Sequence, residues 1–105
     1  MNKIASLNDG FRHSFARGMV VMTGGIAALD EGTIARIVNR VQRFDEFTPT
    51  NDPHGEHDFS SFEIEGEKLF WKIDYYDLAG RFASPDAASP AVTRRVLTIM
   101  RADEY

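Results

Sequence analysis

The sequence predicts an α+β fold: a small, mostly antiparallel sheet of about four strands with two helices packed on one face. Three observations predict it. Apolar residues recur at steps of three and four in two segments of the first half. A clean alternation of apolar and polar residues runs from Phe62 to Tyr75, and a β-branched run fills residues 93–100. The first pattern has the period of a helix and the second the period of a strand.

The elements follow in order. Ile4, Leu7, Phe11 and Phe15 form one helical stripe over residues 3–16, with His13 on the opposite side and Gly18 as a stop. Asn8, Asp9, Arg12 and His13 break the amphipathic pattern of this helix. Met19-Val20-Val21-Met22-Thr23, ended by Gly24-Gly25, reads as a buried strand. Asp30 then offers an N-cap, and Ile34, Ile37, Val38, Val41 and Phe44 line a second helix over residues 31–46. Residues 48–58 hold two prolines, a glycine and turn-forming polar residues, hence a loop.

Phe62 and Ile64 alternate with Glu63 and Glu65. Glu65-Gly66-Glu67-Lys68 supplies a turn, and Leu69, Trp71, Ile73 and Tyr75 share a face of the returning strand. After a second loop at Ser84–Pro90, residues 93–100 read as a strand, because valine, threonine and isoleucine crowd there without a 3.6-residue period. The predicted order is α-β-α-β-β-β.

The 105 residues fit a single domain, 1–105, with 43% hydrophobic and 27% charged residues. With no cysteine, thiolate metal sites, disulfides and cysteine nucleophiles are excluded. The N-terminus carries no apolar signal region and no run approaches the roughly 20 residues that cross a bilayer, so a cytoplasmic protein without membrane contact is expected. A net charge of −4 argues against broad nucleic-acid binding, which needs a basic domain.

Candidate chemistry lies in two segments. His54-Gly55-Glu56-His57-Asp58 packs two imidazoles and two carboxylates into a loop, beside Asp52. Such groups ligate metals or transfer protons near neutral pH. Consecutive residues diverge, however, so a metal would need a distant donor, with His13 and Asp74 the obvious ones; no metal or cofactor is expected. The plainer reading is a turn whose carboxylates satisfy backbone N–H groups. In the second segment, Lys72, Asp74 and Tyr76 share one face of a strand, followed by Asp77. Beside the His57 loop they would make a shallow polar cleft; alone they are a cross-strand charge pair. Arg36, Arg40 and Arg43 fall on one face of the second helix, placed to grip phosphates or to pair with neighbouring carboxylates. Neither Gly24-Gly25 nor the serines sit in a phosphate-loop or nucleophile-elbow motif.

Ile4–Arg12, Asn51–Phe59, Phe70–Asp77, Val92–Met100 and Glu104-Tyr105 together resemble a family of small bacterial proteins, the domain of unknown function numbered 3768. The resemblance implies accessory genes of plasmids, integrated elements and phages. It also implies tyrosine at the position of His54, which moves attention to Glu56, His57 and Asp58 with Lys72, Asp74 and Asp77. The expected function is a small interaction protein that binds or inhibits a host macromolecule, with a protein partner. Two alternatives stay open: an enzyme using His57 with Glu56 or Asp74 as general acid–base, and a nucleic-acid-binding module acting through Arg36, Arg40 and Arg43.

Overall fold

The computed structural model describes residues 2–105. Helix α1 spans Lys3–Ser14, strand β1 Met19–Met22, helix α2 Gly24–Ala27 and helix α3 Glu31–Arg43. Strands β2 (Phe59–Ile64), β3 (Glu67–Tyr76) and β4 (Arg94–Arg101) follow, with short 3-10 turns at Pro90–Val92 and Ala102–Glu104. The α+β class is as predicted. The sheet order is β1-β4-β3-β2. Pairings β2–β3 and β3–β4 are antiparallel, whereas β1 runs parallel to β4, so the sheet is mixed.

Local chemistry sets the helix ends. The Asn2 side chain accepts the Ala5 N–H at 2.7 Å and caps α1. The helix stops earlier than Gly18: Phe15 turns left-handed at φ 59° and its N–H closes on Phe11 O at 2.7 Å. Gly18 has a different reason to be glycine, since a Cβ there would lie 2.6 Å from the Phe11 ring. Asp30 caps α3 through the Thr33 N–H. The C-terminus of α3 falls at Arg43 rather than 46, because Phe44 leaves helical geometry and turns its ring onto Trp71 with Phe47.

Residues Gly24–Ala27 form a single helical turn, a third helix where two were expected. Two glycines in four residues give no propensity signal, and tertiary packing of Ile26 holds the turn instead. The β2–β3 turn is the two-residue Glu65-Gly66, both at positive φ (53° and 80°), and β3 resumes at once with Glu67.

One layer of helices covers one face of the sheet. Phe11, Ile26, Ile37 and Val41 pack on Phe62, Leu69, Trp71, Ile73, Leu97 and Ile99. The deeply buried face of α1 is Ala5, Asn8, Phe11 and Arg12 rather than the full apolar stripe; Ile4, Leu7 and Phe15 are only half-buried. The two buried polar residues of that face bring α1 to the candidate site.

Candidate functional site

Arg12 is 1% exposed. Its Nη1 donates to Val41 O at 2.8 Å and Gln42 O at 3.3 Å, satisfying carbonyls that end α3. Its Nη2 donates to Asp9 Oδ1 at 3.0 Å, and the guanidinium lies over the Trp71 and Phe47 rings. Burial pushes the guanidinium below its ordinary range, partly offset by Asp9. The same Asp9 carboxylate holds His57: Nδ1 lies 3.0 Å from each of its oxygens. A carboxylate accepts only, so Nδ1 is the donor. On the other side of the ring, Nε2 is 3.6 Å from Asp52 Oδ2. Phe47 stacks on the imidazole at 3.9 Å with the planes 3° apart.

The backbone around His57 is equally determined. His57 is left-handed at φ 54°, and its N–H points at the buried Asp52 carboxylate at 3.3 and 3.4 Å. Gly55 is left-handed too, at φ 65°, and its carbonyl accepts from the Asn2 side chain. The chain Arg12–Asp9–His57–Asp52 therefore pins the loop between α3 and β2 onto α1. The ring is 19% exposed, and both of its nitrogens face carboxylates. It reads as a structural lock more than as a proton shuttle with a free nitrogen.

A second network adjoins it. Asn8, fully buried, donates from Nδ2 to Glu56 O at 2.9 Å and to Tyr75 Oη at 2.8 Å, and accepts from Arg95 Nε at 2.8 Å. Tyr75 Oη donates to Glu56 Oε1 at 3.0 Å. Burial pushes the Tyr75 phenol well above its ordinary value, and it lowers the Arg95 guanidinium, which lies over the Tyr75 ring and donates to Ala87 O. Asp58 is raised by its burial and then by the charge of Glu56. Its carbonyl accepts from Ile73 N at 2.7 Å, so the loop does meet β3.

It meets the strand on one face only. Trp71 and Ile73 point into the helical layer, with Tyr75 following them at the same period, so Lys72, Asp74 and Tyr76 point to the opposite face. The expected cleft joining His57 to Lys72 and Asp74 is thus divided by the sheet itself. Lys72 Nζ pairs with Asp74 Oδ2 at 2.9 Å on the helix-free face, and that hydrogen bond raises the Lys72 ammonium. Asp77 caps the following turn through Arg81 N at 3.0 Å. His13 and His54 are exposed, and among the described residues no three histidine or carboxylate side chains are grouped to hold a metal ion.

The arginine face of α3 is largely engaged with the β2–β3 hairpin. Arg36 binds Glu65 at 2.7 Å, and Arg40 donates to Glu63 O at 3.1 Å and lies over Phe62. Arg43 is exposed.

The helix-free face is the other distinctive surface. It presents Met19 and Val21 of β1, 42% and 38% exposed, then Val96 and Thr98 of β4 and the Lys72–Asp74 pair of β3. At the β2 side, Tyr105 packs edge-on against Phe59 and Phe70.

The fold and these two surfaces define a small α+β protein: a four-stranded mixed sheet with a single helical layer, locked by a polar network, its other face covered by no α-helix among the described residues. Residues 22–104 match the family described as protein of unknown function (DUF3768), and the chain belongs to that family. No curated protein and no solved structure matches the chain. No helix among the described residues is long and apolar enough to cross a membrane.

Proposed function

We propose that the protein is a small cytoplasmic accessory protein that binds a macromolecule of a bacterial host, such as a defence component, on behalf of a plasmid, integrated element or phage. One observation carries the reading: the sheet is packed by helices on one face only, while the other presents apolar side chains around a half-exposed Lys72–Asp74 pair. An apolar patch set about a fixed polar pair is the anatomy of a protein-recognition surface. The two candidate segments, the His57 loop and the Lys72–Asp74 pair, lie on opposite faces of the sheet. His57 is occupied by Asp9 and Asp52, and Asp74 lies beyond the sheet from it. The enzyme alternative then rests on His57 with Glu56, since Asp74 lies on the opposite face of the sheet, and the engagement of Arg36 and Arg40 with the hairpin supports the interaction reading over the nucleic-acid one.

Affinity capture from a bacterial host lysate with three forms of the protein tests the proposal. The wild type is expected to retain a stoichiometric protein. Thr98→Lys, on the helix-free face, is expected to lose it, and Arg43→Ala, on the far side of the helical layer, to keep it. Retention by Thr98→Lys, or no stoichiometric protein with any form, overturns the reading.

A further inference from the structure

We infer that the outer edge of β1 is a pairing surface for a second copy of this chain, joining two sheets antiparallel about a two-fold axis at Val21. This pairing goes beyond the proposed function and stands on strand geometry and on the charges at the two ends of β1.

Strand β1 is the end of the sheet. The Thr23 N–H donates to Ile99 O at 3.1 Å, so Met19, Val21 and Thr23 turn their backbone groups towards β4. Alternation then turns the N–H and C=O groups of Val20 and Met22 outward. Proteins guard such edges with charges, prolines or bulges. Met-Val-Val-Met has none, and no residue of β1 is fully buried: the pattern is exposed, half-buried, exposed, half-buried. The core-facing residues of β4, by contrast, include Leu97 and Ile99 at 0% exposure. Val20 and Met22 pack against the margin of the core and stay only partly buried there.

The register follows. The extended run is Met19–Thr23, since Thr23 keeps β geometry (φ −67°, ψ 166°) before α2 begins, and its midpoint is Val21. An antiparallel pair centred there sets Val20 opposite Met22 of the copy and Val21 opposite Val21. All opposed residues then lie on matching faces, as a continuous sheet requires. The outward groups of Val20 and Met22 meet as hydrogen-bonded pairs, and the two Val21 side chains meet in the narrow pair between them.

Charge selects the antiparallel direction. The start of β1 is basic: Arg17 and Arg94 are exposed and lie together beside Met19. Its end is acidic: Glu104 accepts from Thr23 Oγ1 at 2.7 Å and Gly25 N at 2.8 Å, and the neighbouring Arg101 is already paired with Glu67 and Asp103. Antiparallel pairing lays the basic end of each copy beside the acidic end of the other, twice by symmetry. A parallel pair would set basic against basic.

The chain has no cysteine, which makes the test direct. Sedimentation equilibrium of the wild type is expected to move from the mass of one chain to that of two as concentration rises through the micromolar range. Val21→Asp places two carboxylates face to face and is expected to weaken association by at least about tenfold. Val21→Cys is expected to give a disulfide-linked dimer on mild oxidation, because opposed strand positions lie ~4.5–5.5 Å apart, within disulfide reach. Ala35→Cys, exposed on α3, is expected to stay unlinked. Should Val21→Asp unfold, the contrast between the two cysteine variants decides. Single-chain mass at every concentration overturns the inference, as does a dimer indifferent to Val21→Asp or equal linking at positions 21 and 35. An edge reserved for an extended strand of a different protein would produce the first of these results.

Discussion

Asp9 and His57, 48 positions apart in the chain, share a carboxylate-to-imidazole contact of 3.0 Å, and the same carboxylate holds the buried Arg12 at 3.0 Å. Asp9 is therefore the hinge of the network: it neutralises an arginine removed from water and ties the loop to α1. Removing it leaves Arg12 buried without its counter-charge, a change that costs about 3 kcal/mol. Asp9→Ala is expected to lower stability in urea by that amount. His57→Ala, which leaves Asp9 with Arg12, is expected to cost about 2 kcal/mol, from the lost hydrogen bond to a carboxylate and the lost stacking on Phe47. Equal losses would show that the network does not centre on Asp9.

The legibility of this site follows from what each residue's neighbours reveal. The α3 stripe and the 62–75 alternation are readable, because a single face of each element is apolar and period alone assigns it. Asp52 and His57 stand out as a polar run in one loop. Asp9 and Arg12 register only as breaks in the α1 pattern, since the partners that make their burial tolerable lie far along the chain, at Val41 and His57. Tyr75 reads as core from its period and Phe47 gives no signal, yet each is core on one side and network on the other. The parallel pairing of β1 with β4 leaves no trace, because four apolar residues do not encode a direction. The division of the predicted cleft is present in the alternation itself: Lys72 and Asp74 fall out of phase with Trp71 and Ile73.

Two glycines are expected to respond with opposite sign to alanine. Gly10 lies inside α1 on ordinary helical backbone, and a methyl group added there would meet nothing within 4 Å beyond its own helix backbone. Gly10→Ala is expected to stabilise by about 1 kcal/mol through helix propensity. Gly66 also has open space around it, yet its φ is 80°. Gly66→Ala is expected to cost roughly 1–2 kcal/mol from backbone conformation alone. Thermal and urea unfolding of both variants checks the pair, and a shared sign would refute the account.

The arginine face of α3 divides by partner type. Arg36 and Glu65 are each more than half exposed, so Arg36→Ala is expected to cost at most about 1 kcal/mol and to lose even that in high salt. Arg40 binds a carbonyl and lies over Phe62. Its replacement by alanine is expected to cost about 1 kcal/mol with little salt dependence. Arg43→Ala is expected to stay within about 0.5 kcal/mol of the wild type. Urea titrations at low and high salt distinguish the three.

Two carboxylates are expected to give the protein opposing pH responses. Glu104 accepts from Thr23 Oγ1, Arg101 N and Gly25 N, and these hydrogen bonds, that of Thr23 foremost, hold its carboxyl below the ordinary range. A carboxyl depressed on folding contributes stability above its unfolded pKa and loses it as pH falls through the folded value. The advantage of the wild type over Glu104→Gln is therefore expected at neutral pH and should shrink on acidification. Asp58 is raised by burial and by Glu56, so the folded state holds its proton more tightly than the unfolded chain does. Its contribution is present below the unfolded pKa and is lost as pH rises through the folded one. Asp58→Asn is accordingly expected to be more stable than the wild type at neutral pH, with the gain vanishing in acid. Urea midpoints measured from acidic to neutral pH read both slopes. A Glu104→Gln deficit that grows on acidification, or an Asp58→Asn gain that does, contradicts the hydrogen-bonding and burial assigned to those side chains.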